Sequence, residues 1–183
     1  MVVRSGNLAR MGDAGYVIET DRLGLRPYRL DDLDSLAPIL GDAEHMKYYP
    51  HPFGREESLD WIRRQLDRYR DDGFGLWAIE EKATGEFLGN CGPAVQIVDG
   101  EREVELGWHV KPERCRRGIA SEAAAPCRDY SFAELGVERL IALCRPENVA
   151  SCRVADKIGM TIWKETDHKG LHHRVYYAGA AEI

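Results

Sequence analysis

Apolar side chains in this chain recur at every second position in some stretches and at every third to fourth position in others, so strands and helices should alternate along it. In residues 20–28, Leu23 and Leu25 alternate with Arg22 and Arg26 and the run stops at Pro27, which predicts an opening strand. Asp31 then offers an N-cap for a helix carrying Leu33, Leu36, Ala37 and Leu40, with Pro38 placed to bend or fray it. Residues 44–55 gather Tyr48, Tyr49, His51 and Phe53 among prolines and suit a shaped loop. Helical spacing resumes over 56–70 with Leu59, Ile62, Leu66 and Tyr69 on one side, and Gly73 and Gly75 close it.

Three strand-like runs follow at 76–80, 86–91 and 101–110, joined by turns at Thr84-Gly85 and Asp99-Gly100, as in an antiparallel meander. A helix is expected from about 118 to 135, kinked by Pro126, then an apolar strand at 139–144. A short helix over about 150–158 turns Val154 and Ile158 inward and ends at Gly159, and runs at 160–164 and 172–177 make a last hairpin around Lys169-Gly170. With no repeat and no linker, the fold class is α+β, a single domain over residues 16–183 with a mixed, mostly antiparallel sheet flanked by helices. Residues 1–15 carry charges and glycines without an apolar core and read as a disordered leader, not a signal peptide.

Composition narrows the class without naming the chemistry. At 183 residues, 44% hydrophobic and 31% charged, the chain can bury a core without metals or disulfides, and its apolar runs are too short to span a membrane. Five scattered cysteines with no C-x-x-C pair argue against a disulfide framework or a zinc site and suit a reducing cytoplasm. A net charge of −6 disfavours nucleic acid and anionic membrane and favours cationic partners.

Against that balance, Arg114, Arg116 and Arg117 cluster just before a helix whose first residues, Gly118 and Ala120, are small. Free N–H groups and the positive end of the helix dipole favour an anion there, although arginines beside a helix start also serve as plain solvated surface. On the strand leading to this turn, Val104, Leu106, Trp108 and Val110 share one face, and Glu103, Glu105, Gly107 and His109 share the other. The first face belongs under a helix. The second carries two carboxylates and an imidazole towards the turn, with Glu103 expected to stand in water. Trp61, inside a helix, reads as packing, and His168, His172 and His173 read as surface strand residues with no metal.

The runs Thr20-Asp21-Arg22-Leu23-Gly24-Leu25-Arg26-Pro27, Thr84-Gly85-Glu86-Phe87-Leu88-Gly89, Glu105-Leu106-Gly107-Trp108, Arg117-Gly118-Ile119-Ala120-Ser121-Glu122-Ala123 and Asn148-Val149-Ala150-Ser151 to Lys157-Ile158-Gly159-Met160 occur in this order. Together they resemble the GNAT (GCN5-related) N-acetyltransferases, and most of all the ribosomal-protein alanine acetyltransferase branch. The resemblance implies acetyl-CoA as cosubstrate, an amine as acceptor, and a sheet splayed between the fourth and fifth strands. It implies that Cys115, Arg116, Arg117, Gly118, Ile119, Ala120 and Ser121 cradle the pyrophosphate. By the same resemblance His109 and Val110 pair with the pantetheine arm, Asn148 reaches that arm, and Ser151 lies near the thioester sulfur. Cys115 and Arg116 depart from the family turn, and Arg116, in place of a usual glycine, needs a compatible backbone conformation. Arg128, Arg139, Arg145 and Arg153 are the expected candidates for a 3′-phosphate contact.

No G-x-S-x-G or H-E-x-x-H motif occurs, so direct attack of the amine is expected. Glu105 is the first choice for general base and His109 the second, and Ser151 serves as thiolate proton donor or as a helix N-cap. Deprotonating a lysine of pKa near 10.4 at pH 7 costs about 4.6 kcal/mol, against about 1 kcal/mol for an α-amine near 7.8. The acceptor is therefore expected to be a protein N-terminal α-amine or a small cationic amine, against pocket walls supplied by Tyr48, Tyr49 and His51. An acyl-CoA-binding sensor with little catalysis is the alternative, and the oligomeric state stays open, a homodimer included.

Overall fold

The computed structural model describes residues 15–180, so the expected leader lies outside the described residues except for Gly15. Among those described, eight strands form one sheet: β1 Ile18–Glu19, β2 Leu23–Arg26, β3 Trp77–Glu81, β4 Phe87–Val98, β5 Glu101–Val110, β6 Arg139–Cys144, β7 Thr161–His168 and β8 Leu171–Gly179. Their order across the sheet is β1-β2-β3-β4-β5-β6-β8-β7, and only the β5–β6 pair is parallel. The helices are α1 Leu33–Gly41, α2 Arg55–Asp71, α3 Ile119–Ala133 and α4 Val149–Lys157.

The two faces of β5 are divided as its alternation predicts. Cys91, opposite Trp108 in the ladder, and Trp77 lie on the side of α3, where Trp77 meets Tyr130 edge to face at 5.4 Å. His109, of opposite parity, lies on the α2 side, with its ring 5.4 Å from that of Trp61. Ile119, Ala123, Ala124 and Cys127 of α3 are buried in the same core as Leu106 and Val110. Small residues on that helix face let its axis approach the sheet closely.

Several elements differ from their expected form for local reasons. The cap before α1 belongs to Asp32 rather than Asp31. A 3₁₀ turn, Leu30–Asp32, precedes the helix, and Asp32 accepts the Arg29 N–H at 2.7 Å while holding the buried Arg26 by two bonds, of 2.9 and 2.6 Å. The buried seam of α2 includes Ser58 and Gln65, which no hydrophobic period can reveal; the Gln65 side chain accepts the Leu76 N–H at 3.1 Å. β4 runs to Val98, well past 91, because Pro93 lies beyond the last residue paired with β3 and its missing N–H breaks no ladder there. Glu103 is not solvated: it is 5% exposed and is held by Arg139 across the parallel pair. Helices α1 and α3 continue through Pro38 and Pro126.

The feature that positions the site is a parting of the sheet. β4 and β5 pair from Val98↔Glu101 to Gly89↔Val110, but β5 and β6 share register at only Val104↔Leu140 and Glu105↔Ile141. These are the fourth and fifth strands when the two-residue β1 is not counted. Beyond Glu105 the facing edges diverge.

Candidate active site

Ladder parity shows which main-chain groups line the parted edges. The Lys111 N–H bonds the Leu88 carbonyl at 2.8 Å, so Lys111, His109, Gly107 and Glu105 turn their N–H and C=O groups towards β4. Leu106, Trp108 and Val110, the alternate residues, turn theirs away from β4 and into the opening. The main chain of His109, expected on the pantetheine arm, is thus spent on Asn90 instead.

Glu105 sits at the last paired position before the opening. Its carboxylate accepts the Gln96 amide at 2.8 Å, and burial raises its pKa above the usual carboxylate range, with opposing help from Gln96, Lys169, Arg68 and the Leu143 N–H. Tyr49 as a whole residue is 37% exposed, but its hydroxyl turns inward and bonds His109 Nε2 at 2.6 Å. Burial raises the Tyr49 pKa, reinforced by the nearby Glu105 and Cys144. Cys144, at the end of β6, stands 3.5 Å from the Ser151 hydroxyl. Tyr49, Glu105, Cys144 and Ser151 therefore gather around the start of the parting.

His109 is held from both sides. Its Nδ1 lies 3.1 Å from Asn90 Oδ1, which as an acceptor requires Nδ1–H and leaves Nε2 to accept from Tyr49. Burial, with the neighbouring His45, pushes its pKa down to about 3, so the ring is neutral and a poor base near neutral pH. Trp61 packs as expected, against His109 and Phe53, and its buried indole N–H finds no acceptor among the described residues.

At the other end of the opening, Gly118 caps α3 in the left-handed conformation (φ 79°) and Arg116 is also left-handed (φ 60°). The first bond into the helix is Glu122 N–H to Gly118 O at 2.9 Å, so Ile119, Ala120 and Ser121 have N–H groups that the helix itself cannot pair. Glu122, which would repel an anion there, is drawn aside by Thr20 Oγ1 at 2.6 Å and Arg22 Nε at 2.8 Å. A groove of about 430 Å³ opens beside this turn, with Arg22, Arg117, Ser121 and Lys157 in its wall. None of the four arginines expected at a 3′-phosphate lines it; Arg128 bonds the Ile158 carbonyl and Arg139 bonds Glu103.

Other expected residues sit differently. Arg114 is paired with Glu86, and the Cys115 thiol turns back to the Val110 and Lys111 carbonyls at 3.6 and 3.5 Å. The cap of α4 is Asn148, whose Oδ1 accepts the Ser151 N–H at 3.1 Å; Ser151 is not the cap, and only the Asn148 amide NH₂ stays free for a ligand. His51 turns to Glu57 at 2.8 Å, and Tyr48 carries the Lys47 ammonium 5.3 Å from its ring centre, which leaves Tyr49 as the tyrosine aimed at His109. Gln96, Asn90 and Cys144 escaped the sequence reasoning. Gln96 lies in the part of β4 beyond residue 91, and Asn90 becomes visible only once the register of β4 on β5 is known. Among the described residues no three His, Cys, Asp or Glu side chains form a metal-sized group, and no helix is long and apolar enough to cross a membrane.

A parted sheet with a free strand edge, a carboxylate at its apex and an anion-ready helix start defines an acyltransferase of the open-sheet type. A family model described as an acetyltransferase (GNAT) domain matches residues 22–161, and the chain belongs to that family. YkkB of Bacillus subtilis, described as uncharacterized, is 37% identical over 142 residues, 77% of this chain and 83% of its own. YnaD of the same organism, described as an uncharacterized N-acetyltransferase, is 31% identical over 143 residues, 78% of this chain and 81% of its own. The crystal structure of a GNAT-family acetyltransferase from Bacillus anthracis is 26% identical, covers 90% of this chain and 98% of its own, and superposes with a TM-score of 0.76. The chain is an acyltransferase of the N-acetyltransferase family, and enzymes of this family use acetyl-CoA.

Proposed function

We propose that this protein transfers the acetyl group of acetyl-CoA to a primary amine by direct attack, with Glu105 as the general base. The observation that carries this reading is the placement of Glu105 at the last β5–β6 pair, held by Gln96 and lifted in pKa by burial, next to the free N–H groups of the diverging edge. Those N–H groups can pair with the pantetheine arm, and the N–H of Val110 suits the developing oxyanion. The unpaired N–H groups of Ile119, Ala120 and Ser121 suit the pyrophosphate, with Arg117, Arg22 and Lys157 as the cations nearest the groove.

The amine nitrogen attacks the thioester carbonyl, its proton passes to Glu105, and the C–S bond breaks. The departing thiolate takes a proton from the Ser151 hydroxyl, which solvent replenishes. A thiol of pKa near 8.5 needs only a modest donor. Tyr49, kept un-ionised by burial, gives the amine a neutral wall. An α-amine is favoured over a lysine side chain, because a carboxylate of raised pKa meets the smaller deprotonation cost more easily.

The test is release of free CoA thiol with a panel of amines. Glu105→Gln should lower kcat/KM by roughly 10²–10⁴-fold while leaving acetyl-CoA affinity within about twofold. Undiminished turnover in that variant removes Glu105 as base. Acetyl-CoA binding without turnover on any amine selects the sensor reading.

A further inference from the structure

We infer that the acceptor carries a carboxylate close to its amine; this rests on the acetyl-transfer reading above and specifies its substrate class. The net charge of −6 predicts a cationic acceptor, but the charges around Glu105 have the opposite sign. Two cations of the described residues stand over this part of the sheet without an ion pair. Arg68 of α2 is half-buried; its guanidinium donates only to neutral oxygens, Gln65 Oε1 at 3.2 Å and the Val95 carbonyl at 3.5 Å. Lys169, at the tip of the β7–β8 hairpin, reaches Gln96 Oε1 at 3.5 Å, and Gln96 in turn donates to Glu105.

The carboxylates that could neutralise them are committed elsewhere. Glu103 is held by Arg139, and Asp72 bonds Arg102 at 3.0 Å. Asp99 is taken by Lys164 at 2.6 Å and by Thr166. Glu105 is left as the one carboxylate for two cations, and it must also face the amine. A half-buried guanidinium with only neutral partners is matched in charge when an anion arrives, and its planar fork suits a carboxylate. A polyamine, by contrast, would bring two or more positive charges towards Arg68 and Lys169 with a single carboxylate to offset them.

The acceptor so described has its amine at Glu105 and its carboxylate at Arg68 and Lys169. An acidic residue near a peptide N-terminus and a free amino acid both offer this chemistry.

The experiment measures kcat and KM for acetyl-CoA-dependent acetylation of matched acceptors: C-terminally amidated Ala-Glu-Glu, Ala-Gln-Gln and Ala-Lys-Lys, free glutamate, and spermidine. The expected result is a kcat/KM at least tenfold higher for Ala-Glu-Glu or glutamate than for Ala-Gln-Gln, with Ala-Lys-Lys and spermidine lower still. The better of the first two separates a peptide from an amino-acid source. Lys169→Glu, at an exposed hairpin tip, and Arg68→Gln should each raise KM five- to tenfold for the acidic acceptor and leave KM for Ala-Gln-Gln unchanged. If the two cations serve only to keep Glu105 ionised, both variants instead shift kcat and its pH profile alike for every acceptor, and the inference falls. Preference for spermidine or Ala-Lys-Lys, or equal use of all three peptides, also overturns it while leaving acetyl transfer standing. Turnover on no amine at all overturns both.

Discussion

His109 shows how one side chain can be placed by pattern and yet change meaning in its surroundings. Alternation along β5 puts it on the same face as Glu105, so both stood as candidate bases. Tyr49, Asn90, His45 and Trp61, from 19 to 64 positions away in the chain, then enclose the ring and keep it neutral. The ordinary histidine pKa of about 6.5 falls in the folded state to about 3. Between these values the unfolded chain binds the extra proton and the folded one does not, so stability is full above about pH 6.5 and is lost progressively down to about pH 3. Urea unfolding at a series of pH values should show this loss, amounting to several kcal/mol. In His109→Gln the slope across that window should flatten. The face that Glu105 occupies, by contrast, was legible from parity alone, because a strand's alternation fixes which neighbours share its face.

The helix α3 joins an N-terminal turn with unpaired N–H groups to a proline inside its second turn. Its N-terminal turn depends on the left-handed Gly118 and Arg116. Gly118 adopts that conformation freely, whereas Arg116 does so at a cost of about 1 kcal/mol. Pro126, in the second turn, deprives the Glu122 carbonyl of its helical partner, while Glu122's side chain is anchored outward to Arg22 and Thr20. Restoring an N–H with Pro126→Ala should stabilise the protein by about 1–2 kcal/mol after allowing for the freer unfolded chain, with acetyl-CoA affinity unchanged. Thermal unfolding and acetyl-CoA titration check the two halves of this expectation. A fall in affinity would tie the binding turn to the geometry at Pro126. The strand β4, which supplies Asn90 and Gln96, was read seven residues short: it runs to Val98 and not 91, through Pro93. Its tolerance depends on β3 ending first, a fact of pairing that no local signal carries.

In the assembled molecule the parting of β5 from β6 brings together groups drawn from the loop after α1, from β5 and β6, and from the start of α4. Charge is distributed unevenly: a chain of net charge −6 has Arg117, Arg22 and Lys157 along the groove, and Arg68 and Lys169 over the Val95–Gln96 end of β4. A ligand that pairs the free β5 edge and the α3 N-terminus has no counterpart in the unfolded chain. At 100 times its Kd, acetyl-CoA should therefore add about 2.7 kcal/mol of stability. For a domain of this size that is a rise in Tm of roughly 5–11 °C, measurable by thermal shift. A rise with desulfo-CoA and none with pantetheine would place most of the grip at the phosphate end.

Elements of this protein follow from local periodicity, since a helix or strand must turn its apolar residues to one side, and those sides are written in the order of residues. The parity of Glu105, the small residues that open α3 and the order of the five motifs were all readable for that reason. Tertiary structure decided which polar groups meet: His109 with Tyr49 and Asn90, Glu105 with Gln96, Asn148 rather than Ser151 as the cap, and Arg68 without a carboxylate. Hydrogen bonds and ion pairs act over a few ångströms between residues remote in the chain, and composition constrains their sum but not their partners. The sign of the net charge therefore pointed to one kind of acceptor, and the placement of individual charges points to the other.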